Sequence, residues 1–267
     1  MSHGLASGEI QPSPLILPND RVASIVRTGD TSLPPMLWIP GCGSNPDDCA
    51  RILTRMGELA TDRHFVSPWW PGEGGSTPLR SNETYTSRAE DVLAALHVES
   101  DGSWVAGWSA GGGIAARMAA HNNTLRAATI CTPGVHWPDA MRLAHGLLMS
   151  KLQYFGSAAL GNMFDLTQMR HTRKLVAINN ELESFPPREL EALRDSGRWV
   201  AAFGTEDIAV PATKDDKAAA NYVPLDHRNH YSAVLSRTPA ENDERARVIL
   251  KLVGCKIIEP LSTAAAA

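Results

Sequence analysis

Short apolar runs bounded by Gly, Pro and Asp alternate along this chain with longer segments whose apolar positions recur at helical spacing. Arg21–Arg27 (RVASIVR) and Met36–Pro40 (MLWIP) have the strand signature. The turn Gly41-Cys42-Gly43-Ser44 follows, and Asn45-Pro46-Asp47-Asp48 is expected to open a helix. Asn45 suits the cap, Pro46 the first helical position, and two carboxylates the positive end of the helix dipole. Ile52, Leu53, Met56 and Leu59 supply the apolar stripe of that helix. His64–Pro68 (HFVSP) reads as a strand and Tyr85–Leu96 as a helix. Trp104–Trp108 (WVAGW) then reads as a buried strand, Ala110–His121 as a small-residue helix and Leu125–Cys131 as a further strand. This rhythm predicts an α/β fold, a mostly parallel sheet with helices on both faces.

The rhythm breaks between Gly134 and Gly197. This stretch contains no convincing strand but has helical patterns at Asp139–Tyr154, Met163–Asn179 and Pro187–Asp195. An insertion of about 60 residues is too long for a loop in a compact domain and is expected to form a helical lid over residues 134–197. Alternation resumes with Trp199–Phe203 (WVAAF) and Tyr222–Leu225 (YVPL). A final helix opens at Thr238-Pro239-Ala240-Glu241 and stops at Gly254. The core is therefore expected over 1–133 and 198–267, with residues 1–18 and 260–267 as mobile tails of small residues and prolines.

Composition narrows the class. With 43% hydrophobic and 20% charged residues, the 267-residue chain can bury a sizeable core and does not have the composition of a disordered protein. Its net charge of −4 leaves no basic surplus for a phosphate backbone, so nucleic acid is not an expected partner. Cys42, Cys49, Cys131 and Cys255 lack the paired spacing of a zinc site and are expected to be free thiols. There is no secretory leader pattern and no apolar run of spanning length, so a soluble, cytoplasmic protein with no membrane partner is expected.

The candidate chemistry centres on Gly107-Trp108-Ser109-Ala110-Gly111, which matches G-x-S-x-G between a predicted strand and a predicted helix. In that setting Ser109 is a nucleophile. The alternative, that it merely caps the helix, does not require both glycines. A serine here favours attack on an acyl carbon over alkyl chemistry, which uses a carboxylate. Two backbone N–H groups must stabilise the resulting oxyanion, and Ala110 and Cys42 are the candidates. Only His227 and His230 follow the strand Trp199–Phe203, and His230 is preferred because it lies further along the loop. Asp207, in Gly204-Thr205-Glu206-Asp207, is the preferred acid, with Glu206 second and Asp139 in reserve.

Taken together, these residues resemble the α/β-hydrolase family over most of the chain outside 134–197. Pro71-Gly72-Glu73-Gly74-Gly75-Ser76 is similar to the G-x-G-x-S loop many members carry after their fourth strand, although Pro40-Gly41 stands where His-Gly is common and Trp69 where Asp is frequent. With Gly-Trp-Ser-x-Gly-Gly at 107–112, that loop resembles those of small carboxylesterases such as the pimeloyl-carrier-protein methyl ester esterases. The resemblance implies a serine hydrolase acting through an acyl-enzyme, with Ser109, Asp207 and His230 as its triad. The lid's many apolar residues imply a small, largely apolar ester or acyl substrate, with Trp108, His136, Trp137 and Met141 expected around it. The same triad also serves thioester, lactone and C–C bond hydrolysis, acyl transfer and cyclisation. A non-catalytic binding protein on this fold is the remaining alternative. No Walker loop, H-E-x-x-H or dinucleotide turn is present, so no metal or cofactor is expected.

Overall fold

Eight strands lie side by side in one sheet of the computed structural model, which describes residues 12–42, 44, 49–96, 103–135, 145–147, 149, 166–236 and 238–258. They are β1 (Ser13–Leu17), β2 (Arg21–Thr28), β3 (Pro35–Ile39), β4 (His64–Pro68), β5 (Trp104–Trp108), β6 (Arg126–Ile130), β7 (Trp199–Gly204) and β8 (Tyr222–Leu225). Their spatial order is β1-β2-β4-β3-β5-β6-β7-β8. The β1–β2 and β2–β4 pairs are antiparallel and every other pair is parallel. The described helices are α1 (Ala50–Leu59), α2 (Tyr85–Ala95), α3 (Ala110–His121), α4 (Leu166–Glu183), α5 (Pro187–Asp195), α6 (Lys214–Ala218) and α7 (Pro239–Leu252).

Side chains alternate across the sheet with the two-residue strand period, and this divides the core into two layers. Leu37, Ile39, Val105, Ala127 and Phe203 face α2, α3, α4 and α5, where they meet Val92, Ile114, Met118, Ile178, Leu182 and Leu190. Met36, Trp38, Ala106, Ala128 and Ala202 face α1 and α7, against Ile52, Leu53, Met56, Ile249 and Leu250. Strands buried on both faces cannot show polar alternation, which is why WVAGW reads as a continuous apolar run. Because β3 to β8 run in parallel, their carboxyl ends share one edge of the sheet, where ligands bind in such folds.

Two expectations need correction. Residues 13–17, expected in a mobile tail, form β1 and pair with β2 from Ser13↔Ile25 to Leu17↔Arg21. Pro14 is tolerated because β1 is an edge strand, and Asn19 and Asp20 turn the chain at φ 60° and 56°. The first helix was expected from Asn45. In the structure α1 begins at Ala50, with Cys49 before it and no side-chain cap, and Asn45–Asp48 lie outside the described residues. In the insertion, the described helices α4 and α5 bury Ile178, Leu182, Leu190 and Leu193 beside α3. Thr238 accepts a hydrogen bond from Glu241 N–H at the start of α7, and Gly254 follows the helix at φ 62°. Among the described residues, no helix is long and apolar enough to cross a membrane.

A buried charge network ties the antiparallel edge to α2. Arg21 reaches Glu83 and Asp91, and Arg88 donates to the same Glu83 at 2.8 Å and to Thr77 O at 2.8 Å. Both guanidiniums are almost fully withdrawn from water, so Glu83 is shared by two buried cations. Glu83→Gln leaves the buried Arg88 guanidinium without its carboxylate, while Arg21 keeps Asp91, and is expected to destabilise the fold by about 3 kcal/mol, read as a lower urea midpoint at unchanged slope.

Candidate active site

β5 turns into α3 so sharply that Ser109 adopts φ 56° and ψ −126°, a conformation L-residues rarely hold. The turn closes only around small neighbours. A Cβ on Gly107 would lie 2.4 Å from the Gly111 carbonyl carbon, and one on Gly111 would lie 2.3 Å from the oxygens of Ile39 and Pro40. The backbone of Ser109 is held on both sides, its N–H donating to Ile130 O at 2.9 Å and its carbonyl accepting from Thr132 Oγ1 at 2.9 Å. The Ser109 side chain makes no capping bond to α3. Instead its Oγ lies 2.9 Å from His230 Nε2.

His230 follows β8 in a loop, and its other ring nitrogen lies 3.0 Å from Asp207 Oδ2. An ionised carboxylate only accepts, so Nδ1 carries the proton and Nε2 is left to accept from Ser109 O–H. The second oxygen of Asp207 accepts from the N–H groups of Ala209 and Val210 at 2.9 and 3.0 Å. Both side chains are withdrawn from solvent. Burial alone would raise the Asp207 pKa. The His230 ring beside it, with its Nδ1–H hydrogen bond, the Val210 amide and the Cys131 thiol outweigh burial and hold it below the ordinary aspartate value. The second-choice residues meet each other elsewhere. His227 and Glu206 pair at 3.3 Å on the surface, with the His227 side chain 91% exposed.

Cys131, just after β6 with φ 47°, is a free thiol as expected, but its place beside Asp207 was not foreseen. Its sulfur, an Asp207 oxygen and a His230 nitrogen lie within 4.8 Å of one another. Burial, with Asp207 beside it, pushes the Cys131 thiol well up, so it remains protonated. Thiol, carboxylate and imidazole are donors a soft divalent ion accepts, but here Asp207 and His230 already satisfy each other. The two amides that hold Asp207 were also missed. An Asp followed by Ile-Ala-Val could have signalled them, because Asp side chains commonly accept from amides two residues on.

The expected oxyanion donors follow the ends of the neighbouring strands β5 and β3. Ala110 is the first residue of α3, so its N–H has no acceptor within the helix and lies at the positive end of the dipole. Cys42 lies just beyond β3, the direct neighbour of β5. Its turn is closed by Ser44 N–H donating to Gly41 O at 3.0 Å and is held by the Trp70 indole, which donates to the carbonyls of Gly41 and Ser44 at 3.2 and 2.9 Å. Of the residues expected around the substrate, Trp108 is 2% exposed and lies behind the site, whereas His136, Trp137 and Met141 lie outside the described residues, as does Asp139. Two carboxylates join α4 to the core. Glu181 accepts from the Tyr85 and Thr86 N–H groups at the start of α2 at 2.8 and 2.9 Å, and Lys174 pairs with Glu73 in the loop after β4.

Neither a protein-family profile nor a curated protein sequence matches this chain. Solved structures do match it. A putative lipase from Acinetobacter baumannii AYE is 15% identical with a TM-score of 0.65, covering 91% of each chain. A carboxylesterase structure from the thaumarchaeon Nitrososphaera gargenis is 16% identical with a TM-score of 0.62, over 91% of this chain and 99% of that one. An epoxide hydrolase of the α/β-hydrolase superfamily, from metagenomes of hot environments, is 13% identical with a TM-score of 0.57, over 91% and 98%. At such identities the likeness shows the fold, which is the α/β-hydrolase fold.

The lowered Asp207 pKa has a thermodynamic consequence. Ionisation of Asp207 stabilises the folded chain, in full above about pH 4, the ordinary aspartate value, and progressively less as pH falls through the lower folded value. Asp207→Asn removes this contribution. Urea unfolding from about pH 5 to about pH 2 is expected to show a shallower acid loss in the variant than in the wild type.

Proposed function

We propose that this chain is a serine hydrolase that cleaves a carboxylic ester of a small, largely apolar substrate through an acyl-enzyme. The observation that carries the reading is the continuous contact from Ser109 through His230 to Asp207, at 2.9 and 3.0 Å. In this reading, Ser109 Oγ attacks the ester carbon while His230 Nε2 takes its proton, and buried Asp207 stabilises the imidazolium. The tetrahedral oxyanion is met by the N–H groups of Ala110 and Cys42. Collapse expels the alcohol, which leaves with the proton from His230. Water then attacks the acyl carbon and gives a proton to His230, which returns it to Ser109 Oγ as the second tetrahedral intermediate collapses and releases the acid.

A serine at the elbow supports acyl over alkyl chemistry. The epoxide hydrolase on the same fold shows that the fold leaves this choice to the site. The apolar composition of 134–197 supports a lid above the carboxyl edge of the sheet and an apolar substrate beneath it. The exposed His227, paired with Glu206, has no part in this scheme.

Ser109→Ala is expected to fold normally, to lose hydrolysis of short p-nitrophenyl esters by about 10⁴-fold or more, and to lose labelling by a fluorophosphonate. Near-normal rates in the variant overturn the reading, and absence of labelling in the wild type returns the chain to the non-catalytic alternative. In the same assay, His227→Gln is expected to stay within about two-fold of the wild type while His230→Gln falls with Ser109→Ala.

A further inference from the structure

Trp108 precedes the candidate nucleophile, yet its side chain points away from solvent and is 2% exposed. Its indole N–H donates to the His230 carbonyl at 2.9 Å. Its ring lies 5.7 Å from the His230 imidazole and meets Tyr231 edge-on at 5.8 Å. On another side, a Cβ on Gly41 would lie 2.9 Å from Trp108 Cε3, so the six-membered ring rests directly on the turn that carries Cys42. One side chain, rooted in the strand that ends in Ser109, therefore touches both the loop of the base and the turn of the second oxyanion donor.

The loop carrying His230 needs such an anchor. It has no regular secondary structure, and its internal bonds, from Tyr231 and Ser232 N–H to Asn229 Oδ1 at 3.1 and 2.8 Å, set its shape without setting its distance from Ser109. Glu206 N–H donating to Arg228 O at 2.9 Å ties the loop to the end of β7, beside Asp207. Trp108 ties it to β5.

We infer that Trp108 is a positioning residue, which sets His230 Nε2 against Ser109 Oγ through its N–H and registers the Gly41–Cys42 turn on the same serine through its ring. The inference rests on the hydrolase reading for its kinetic effect, but the placement of His230 can be read without any substrate. Loss of the N–H leaves the His230 carbonyl buried without its donor and loosens the base, while a group behind the site leaves substrate binding untouched. The expected signature is therefore a fall in kcat at nearly constant KM, equal for short and longer acyl groups.

The test replaces Trp108 with Phe, and separately with the isosteric amino acid benzothienylalanine, which keeps both rings and exchanges N–H for sulfur. Kinetics are measured on p-nitrophenyl acetate, butyrate and hexanoate, and the low-field proton resonance of His230 Nδ1–H is recorded in the free protein. In the isosteric variant kcat is expected to fall about 10-fold on all three esters, with KM within about two-fold and the resonance shifted or broadened. Unchanged kcat and resonance in that variant overturn the inference even if the Phe variant fails to fold. A loss confined to KM and graded with acyl length overturns it too, by making Trp108 a pocket wall. If the wild type hydrolyses no ester and takes no fluorophosphonate while the resonance still moves in the variants, the hydrolase reading fails and the placement of His230 by Trp108 stands.

Discussion

Holding a serine at φ 56° costs about 1–3 kcal/mol relative to ordinary backbone, and the chain sustains it because close packing leaves β5 and α3 no wider turn. The glycine pair 107 and 111 lets the strand and helix approach until the helix backbone touches the carbonyls at the end of β3. Everything else in the site is placed relative to that contact. It directs the Ser109 side chain out of the helix axis, puts the first N–H of α3 beside it, and brings the turn after β3 within reach from the neighbouring strand.

Burial then decides what the polar groups do. Asp207 accepts the Nδ1 proton of His230 in an environment nearly free of water, and both oxygens of the carboxylate have donors. A buried charge held this way keeps its ionisation and fixes the ring it faces. His227 and Glu206 offer the same two functional groups on the surface, where solvent screens their attraction. The difference between the two pairs is one of dielectric and placement, because the functional groups are alike.

The loops around the site are irregular, and side chains from outside each loop hold them. Trp70 fixes the turn after β3 and Trp108 the loop after β8, while Glu181 and Lys174 bring α4 of the insertion onto α2 and the loop after β4. Loops that carry chemistry gain precision this way without becoming strands or helices themselves.

Local pattern was enough for Trp104–Trp108, Pro187–Asp195 and Tyr222–Leu225, because a buried strand or an amphipathic helix writes its period into adjacent residues. The glycines of the elbow were legible for the same reason, since their crowding arises within five residues. β1 was not: its Ser-Pro start reads as irregular chain, and only pairing with β2 makes it a strand. Position along the loop favoured His230 over His227 only by its distance from the strand, and nothing local revealed that Cys131 faces Asp207 or that Trp108 serves the loop of His230. Those partners lie up to 122 residues apart along the chain, and what joins them is the shared edge of a parallel sheet. Residue order thus determined most of the elements and the candidate side chains; only the packed sheet decided which of them meet, because contact and exclusion of water are properties of the closed structure.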